Sequence, residues 1–154
     1  MTKPRRSALE YAIKLLGYRA RAKRELQGKM LEKKYSPEEI EAVFVKLEKA
    51  NLLNDEQFAH NYTRDKLMIS RRGPRRIYFE LIKHGVAKEI ADQATKTIAP
   101  VDELAMAESL LAARARQWTK LEPLARYRRA LGLLSRRGFS PRVVRAVLED
   151  WPKY

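Results

Sequence analysis

Along this chain, apolar residues recur three and four positions apart, the spacing of one helix face, in short segments broken by start and stop signals. The most complete segment is central. Asn54 is placed to cap a helix and Gln57 to close a capping box with it, while Asp55 and Glu56 put negative charge where the helix dipole favours it. Gly73-Pro74 ends this segment and opens another, because proline fits the first helical turn and its missing N–H costs nothing there. Gly85 supplies the left-handed residue that closes a helix, and a third apolar pattern begins near Ala87. Phe58, Tyr62 and Leu81 are the expected core of this unit.

Weaker echoes lie on both sides. Ser7-Ala8-Leu9-Glu10 is a capping box ahead of Leu9, Ile13 and Leu16, and a basic segment from Arg19 to Lys34 carries Leu26, Met30 and Leu31. Ser36-Pro37-Glu38-Glu39 combines cap, proline and acidic first turn before Ile40, Val43, Phe44 and Leu47. The last third begins near Val101, runs through Met106, Leu110 and Leu111 to Trp118, and turns near Glu122-Pro123. It continues with Tyr127, Leu131 and Leu134, and ends on a helix capped by Ser140 and closed at Trp151-Pro152. That final stretch is valine-rich, but its spacing and cap favour helix over strand.

The ends of the three middle segments repeat one phrase: Leu31-Glu32-Lys33-Lys34-Tyr35-Ser36-Pro37, Leu81-Ile82-Lys83-His84-Gly85-Val86-Ala87 and Leu134-Ser135-Arg136-Arg137-Gly138-Phe139-Ser140-Pro141. The period is about 50 residues, as in stacked helical arrays. The pattern predicts an all-α protein of three tandem three-helix repeats, 1–53, 54–99 and 100–154, stacked through shared apolar faces into an elongated, curved body. A single nine-helix globule is the alternative.

The chain has 154 residues, none of them cysteine, so it holds neither disulfides nor thiolate metal sites. No run approaches the roughly 18 apolar residues of a membrane span, and the basic start is not followed by an apolar signal core, so a cytoplasmic protein is expected; a monomer is the expected state. Charge adds more: 33 Lys and Arg against 19 Asp and Glu leave +14. The segments 19–34, 70–84 and 120–137 carry +5, +4 and +5, which accounts for all of it, whereas 37–50 is net negative. Stacked units would therefore present a basic stripe suited to nucleic acid or an acidic protein surface.

Some of that charge merely complements helix C-termini, as at Lys33, Lys34, Lys83, Arg136 and Arg137. Arg75 and Arg76 stand instead at a helix start, where positive charge opposes the dipole, as do Arg21, Lys23 and Arg24 if their helix begins near Arg21. The candidate contact residues are Arg19, Arg21, Lys23 and Arg24; Arg71, Arg72, Arg75, Arg76, Phe79 and Lys83; and Arg126, Arg128, Arg129, Arg136 and Arg137. Phe79 falls between Arg75 and Lys83, away from Ile77 and Leu81, and is placed either to stack on a base or a partner side chain or to make a shallow core contact.

Catalytic motifs are not found. His60 and His84 are isolated, surface or helix-end residues without ligand spacing, and the adjacent acids Glu38-Glu39 and Asp55-Glu56 read as helix starts. No glycine-rich phosphate loop or nucleophile elbow occurs, and Trp118, Trp151 and Tyr127 read as packing residues. Neither a metal nor a cofactor is expected, and a metal-dependent nuclease is a remote reading behind a nonspecific or architectural nucleic-acid-binding protein.

Three stretches resemble the RecX family of bacterial recombinase regulators. Arg19-Ala20-Arg21-Ala22-Lys23-Arg24-Glu25-Leu26 is similar to its basic run ending in Glu-Leu, and Leu53-Asn54-Asp55-Glu56-Gln57-Phe58-Ala59 to its Leu-Asp-Asp-x-x-Phe-Ala. Gly73-Pro74-Arg75-Arg76-Ile77 through Leu81 to Gly85-Val86 completes the likeness. Ala22 stands where that family usually has serine, Asn54 for the first aspartate and Asn51 where glycine is common, so the second helix lacks its usual cap. The resemblance implies a non-enzymatic protein that binds the RecA filament on DNA in its helical groove and lowers ATPase and strand-exchange activity, with weak direct DNA binding possible.

Overall fold

The computed structural model describes residues 4–149 and 151, and among these every regular element is a helix. Met1, Thr2 and Lys3 of the basic start, and the Pro152 expected to close the last helix, lie outside the described residues. The first unit is α1 (Ala8–Tyr18), α2 (Lys23–Glu32) and α3 (Pro37–Lys49); the second is α4 (Asp55–Met68), α5 (Pro74–Lys83) and α6 (Lys88–Lys96). The third is α7 (Pro100–Ala115), a 3₁₀ turn (Arg116–Trp118), α8 (Pro123–Arg136) and α9 (Pro141–Leu148).

Three helices start on caps of their own. Ser7 and Glu10 bond reciprocally at α1, and Ser36 and Glu39 do the same at α3. Asn54 accepts from the Gln57 N–H at 3.1 Å, but no return bond from the Gln57 side chain is present among the described residues. The Asn54 amide donates instead to Asn51, so the cap is single rather than boxed.

Three other starts take their partners from elsewhere in the fold. Ala22 gives α2 no side-chain cap, and the Lys23 N–H donates across to the Asp55 carboxylate at 2.8 Å. Ser140 does not cap α9 through its hydroxyl; its N–H donates to the buried Glu103 carboxylate of α7 at 2.7 Å. At α5 the N–H groups of Gly73 and Arg75 donate to the carbonyls of Arg137 and Gly138, which end α8. Free donors at one helix start thus meet free acceptors at another helix end.

This last contact sets the arrangement of the units. The end of α8 abuts the start of α5, and the end of α5 abuts the start of α2, where Gly85 packs against Arg24 and His84 bonds Glu25. The three middle helices therefore follow one another end to end, negative dipole end against positive. Gly73 and Gly138 permit the approach, since a Cβ on either would lie 2.3 Å from the other unit's backbone. Gly85 and Gly138 are left-handed at φ 91° and 84°, and Lys34 takes that role in the first copy at φ 66°.

The core falls into three clusters, one per unit: around Phe44 and Leu26, around Ile77 and Leu81, and around Leu134 and Phe139. Among the described residues, apolar contact between units includes Ala22, buried in the second core, and Met106, packed against both the second and the third where α4 meets α7. The units also join through polar helix ends. The accessible surface is 10454 Å², whereas a compact monomer of 18.0 kDa exposes about 8,000 Å², as the elongated form requires. Phe58 and Leu81 are buried as expected, while Tyr62 is only partly so.

On α8 the apolar reading needs correction. Ala130, Leu133 and Leu134 face the core, but Leu131 is 41% exposed and Tyr127 37%. Leu131 and Tyr127 recur at helical spacing on the outer face, where period alone cannot tell a buried stripe from a displayed one. Trp118 and Trp151 do pack together, edge to face, with ring centroids 6.3 Å apart.

Candidate functional site

The end-to-end order of α2, α5 and α8 creates two adjoining clefts. One, of about 530 Å³, lies between α5 and α8 and is lined by Arg75, Arg76, Phe79, Glu80, Lys83, Ser135, Arg136 and Gly138. The other, of about 890 Å³, lies between α2 and α5 and is lined by Arg24, Glu25, Tyr62, Arg72, Arg76, Glu80, Ile82, Lys83, His84 and Gly85. Arg76, Glu80 and Lys83 belong to both, so the groove runs across all three units.

Two carboxylates organise its cations. Glu80 accepts from Arg72 at 2.9 and 3.0 Å, from Arg76 at 3.0 Å and from the Tyr62 hydroxyl at 2.7 Å. Burial pushes the Glu80 carboxyl up, but the bonds from Tyr62, Arg76 and Arg72 outweigh it and hold the group below the usual carboxylate range. The Tyr62 hydroxyl is pushed up to about 12, first by burial and then by its bond to Glu80. Glu25 is the counterpart at the α2 joint: it pairs with Arg19, with Arg21 at 2.8 Å and with His84 at 2.9 Å. Burial raises its pKa, and the bonds from His84, Arg19 and Arg21 bring it below its ordinary value.

His84 is therefore not isolated. It closes α5, bonds Glu25 of the first unit and stands edge-on to Phe58 and Tyr62, with centroids 5.8 and 5.2 Å away. Arg76–Glu80 and Arg21–Glu25 have the i,i+4 spacing visible in sequence, whereas Arg72 and His84 reach their carboxylates only through the tertiary fold.

The predicted contact residues divide accordingly. Helix α2 begins at Lys23, so Arg19 and Arg21 precede it and serve Glu25, while Lys23 pairs with Glu48 at 2.8 Å. Arg72 and Arg76 serve Glu80. Arg71 is left-handed in the loop before α5, at φ 50°. Arg137 anchors the second joint, donating to the Ser70 carbonyl at 3.0 Å; burial, then the nearby Arg76, Arg114, Arg72 and Arg71, lower its pKa. Arg126 is partly buried on α8, and the exposed Arg128 and Arg129 line neither cleft.

Arg24, Arg75, Lys83 and Arg136 are exposed, line the groove and, among the described residues, have no ion pair or side-chain hydrogen bond. Phe79 rises among them, 65% exposed, so its shallow-core alternative does not hold. The expected opposition of Arg75 and Arg76 to the α5 dipole is offset, because the carbonyl end of α8 covers that helix start. Among the described residues no three acidic or histidine side chains gather as a metal site, and no helix is long and apolar enough to cross a membrane.

Comparison with known proteins matches the three units one by one. Residues 8–47, 54–94 and 101–148 match the first, second and third three-helix domains of RecX. The Regulatory protein RecX of Pelodictyon phaeoclathratiforme is 32% identical over 141 residues, which is 92% of this chain and 86% of that protein. The chain belongs to the RecX family. Its likeness to the Regulatory protein RecX of Prosthecochloris aestuarii, 36% identical over 91 residues, spans 59% of the chain and 60% of the relative. The crystal structure of RecX from Lactobacillus salivarius shares the RecX fold at a TM-score of 0.84 and 21% identity, covering 96% of each chain.

Proposed function

We propose that this RecX-family chain is a non-enzymatic cytoplasmic regulator, acting as a monomer. It binds the RecA filament on DNA, lies in the filament's helical groove and lowers its ATPase and strand-exchange activity. The observation that carries this reading is the row of unpaired cations, Arg24, Arg75, Lys83 and Arg136, along one groove that crosses all three repeats. A contact spread over the length of the chain can reach neighbouring filament subunits and favour one filament state over another. The remaining basic residues of the middle helices, apart from those holding Glu25 and Glu80, widen the same positive field. The repeats 1–53, 54–99 and 100–154 are the modules of that contact.

Binding is measured at matched salt to bare single-stranded DNA, to RecA alone and to the assembled filament, with the filament expected to bind most tightly. Equal affinity for bare DNA would reassign the chain to nonspecific nucleic-acid binding. Arg75→Gln with Lys83→Gln should weaken filament binding and relieve inhibition with an unchanged melting curve, whereas replacing Glu38, Glu39 and Glu41 on α3 should do less. Arg76 is a poorer probe because it also holds Glu80 and packs against Gly138.

A further inference from the structure

The cleft between α5 and α8 holds an exposed aromatic ring among cations that nothing else in the described chain engages. Phe79 shares a face of α5 with Arg75 and Lys83, one turn to either side. Across the cleft, Arg136 lies back along α8 over Gly132, where a Cβ would come within 2.8 Å of its guanidinium. Tyr78 meets Phe79 edge to face, with centroids 5.5 Å apart and planes at 78°. The ring is thus buttressed by a neighbour and leaves a face to the solvent.

A second depression, lined by Pro74, Arg75, Tyr78, Phe79, Asp92 and Thr95, flanks the same ring. Its lining brings one cation, Arg75, against Arg75, Arg76, Lys83 and Arg136 on the α8 side, so it is the poorer place for an anion. On the α8 side the one carboxylate lining the cleft among the described residues is Glu80, whose charge is already held by Arg72 and Arg76. The α8 side therefore combines a stacking surface with unspent positive charge, the pairing that takes a base together with its backbone.

We propose that this cleft takes single-stranded nucleic acid, with an unstacked base lying on Phe79 and the phosphates on either side meeting Arg75, Lys83 and Arg136. Arg75 and Lys83 are about 12 Å apart along the helix by its rise of about 1.5 Å per residue, a span that their long side chains are able to shorten toward phosphates on either side of the base. A duplex keeps the faces of its bases stacked inside, so it offers Phe79 nothing to stack on. The inference rests on reading this groove as the contact with the nucleoprotein filament, and it assigns the DNA strand to this part of it.

The test measures anisotropy of a labelled thymidine oligomer of about 12 nucleotides with the full chain, alongside a duplex of the same length and filament binding. Phe79→Ala and Phe79→Leu should each weaken the oligomer by about 5- to 150-fold, while Phe79→Tyr retains affinity and duplex binding changes less than about two-fold. Arg75→Gln should reduce the salt slope for the single strand by about 0.7. Melting curves check that these exposed positions leave the fold intact. Retained binding in Phe79→Leu would make the contact merely apolar and overturn base stacking. Free thymidine monophosphate competing as tightly as the oligomer would overturn the role of the flanking phosphates. If the Phe79 variants bind the oligomer normally but lose the filament, the cleft meets protein, which sinks this inference and leaves the proposed function standing. If they keep both, neither the strand nor the filament uses Phe79, and the inference fails outright.

Discussion

Glu80 is the residue through which the second unit orders its side of the groove, because one carboxylate there fixes two arginines and a tyrosine. Its partner Tyr62 gives that network a signature at high pH. The folded state holds the Tyr62 proton to about pH 12, above the usual value of about 10, so the protonated form is the one the fold favours. The stability from this proton is complete below about pH 10 and is lost as pH rises through about 12. In a spectrophotometric titration the Tyr62→Phe variant should lack a late-ionising step that the parent chain shows. Identical titrations of the parent and Tyr62→Phe at high pH would show that the bond to Glu80 does not hold the phenol.

Helix ends do in this protein what an apolar interface does in many helical arrays. The joint between α5 and α8 consists of main-chain hydrogen bonds at 2.7 and 3.0 Å through backbones close enough to exclude a Cβ. Gly138→Ala should therefore cost more than about 1 kcal/mol of unfolding free energy and lower the urea midpoint, since it combines a left-handed φ with a clash against the Arg76 N–H. Gly28→Ala is the matched control: that glycine is within α2 with open space around it, so alanine should stabilise by about 0.5 to 1 kcal/mol. Equal effects from the two would mean that the joint is looser than its geometry. Gly85 and Gly138 were legible in sequence as helix stops, yet their second role at the joints was not, because close approach depends on what another unit brings to the spot.

With three cores and polar joints, the molecule should be longer than a single globule of its size. Small-angle scattering should return a radius of gyration clearly above the roughly 15 Å expected of a compact chain of this length. A value at that figure would require the first and third units to fold back on each other. The repeat with its period of about 50 residues was visible from the recurring helix stops, and so was the concentration of charge on the middle helices. Their end-to-end order was not, since periodicity reports which face of a helix is apolar and says nothing about where its ends point.

Local rules account for the helices of the described residues and for the side-chain caps at three of their starts, because turns, proline starts and helix periods act over a few neighbouring residues. They placed Ser7, Ser36, Asn54, Gly85 and Phe58 correctly, and they put Phe79 on a face apart from Ile77 and Leu81. Tertiary structure decided what charge and exposure mean at each position. Arg72 and Arg76 became partners of Glu80 while Arg75 stayed unpaired; His84 became part of a joint; Leu131 turned outward while Leu134 turned in. Whether a cation is spent on a neighbour or left for a ligand depends on carboxylates far along the chain, and only folding brings those within hydrogen-bonding distance.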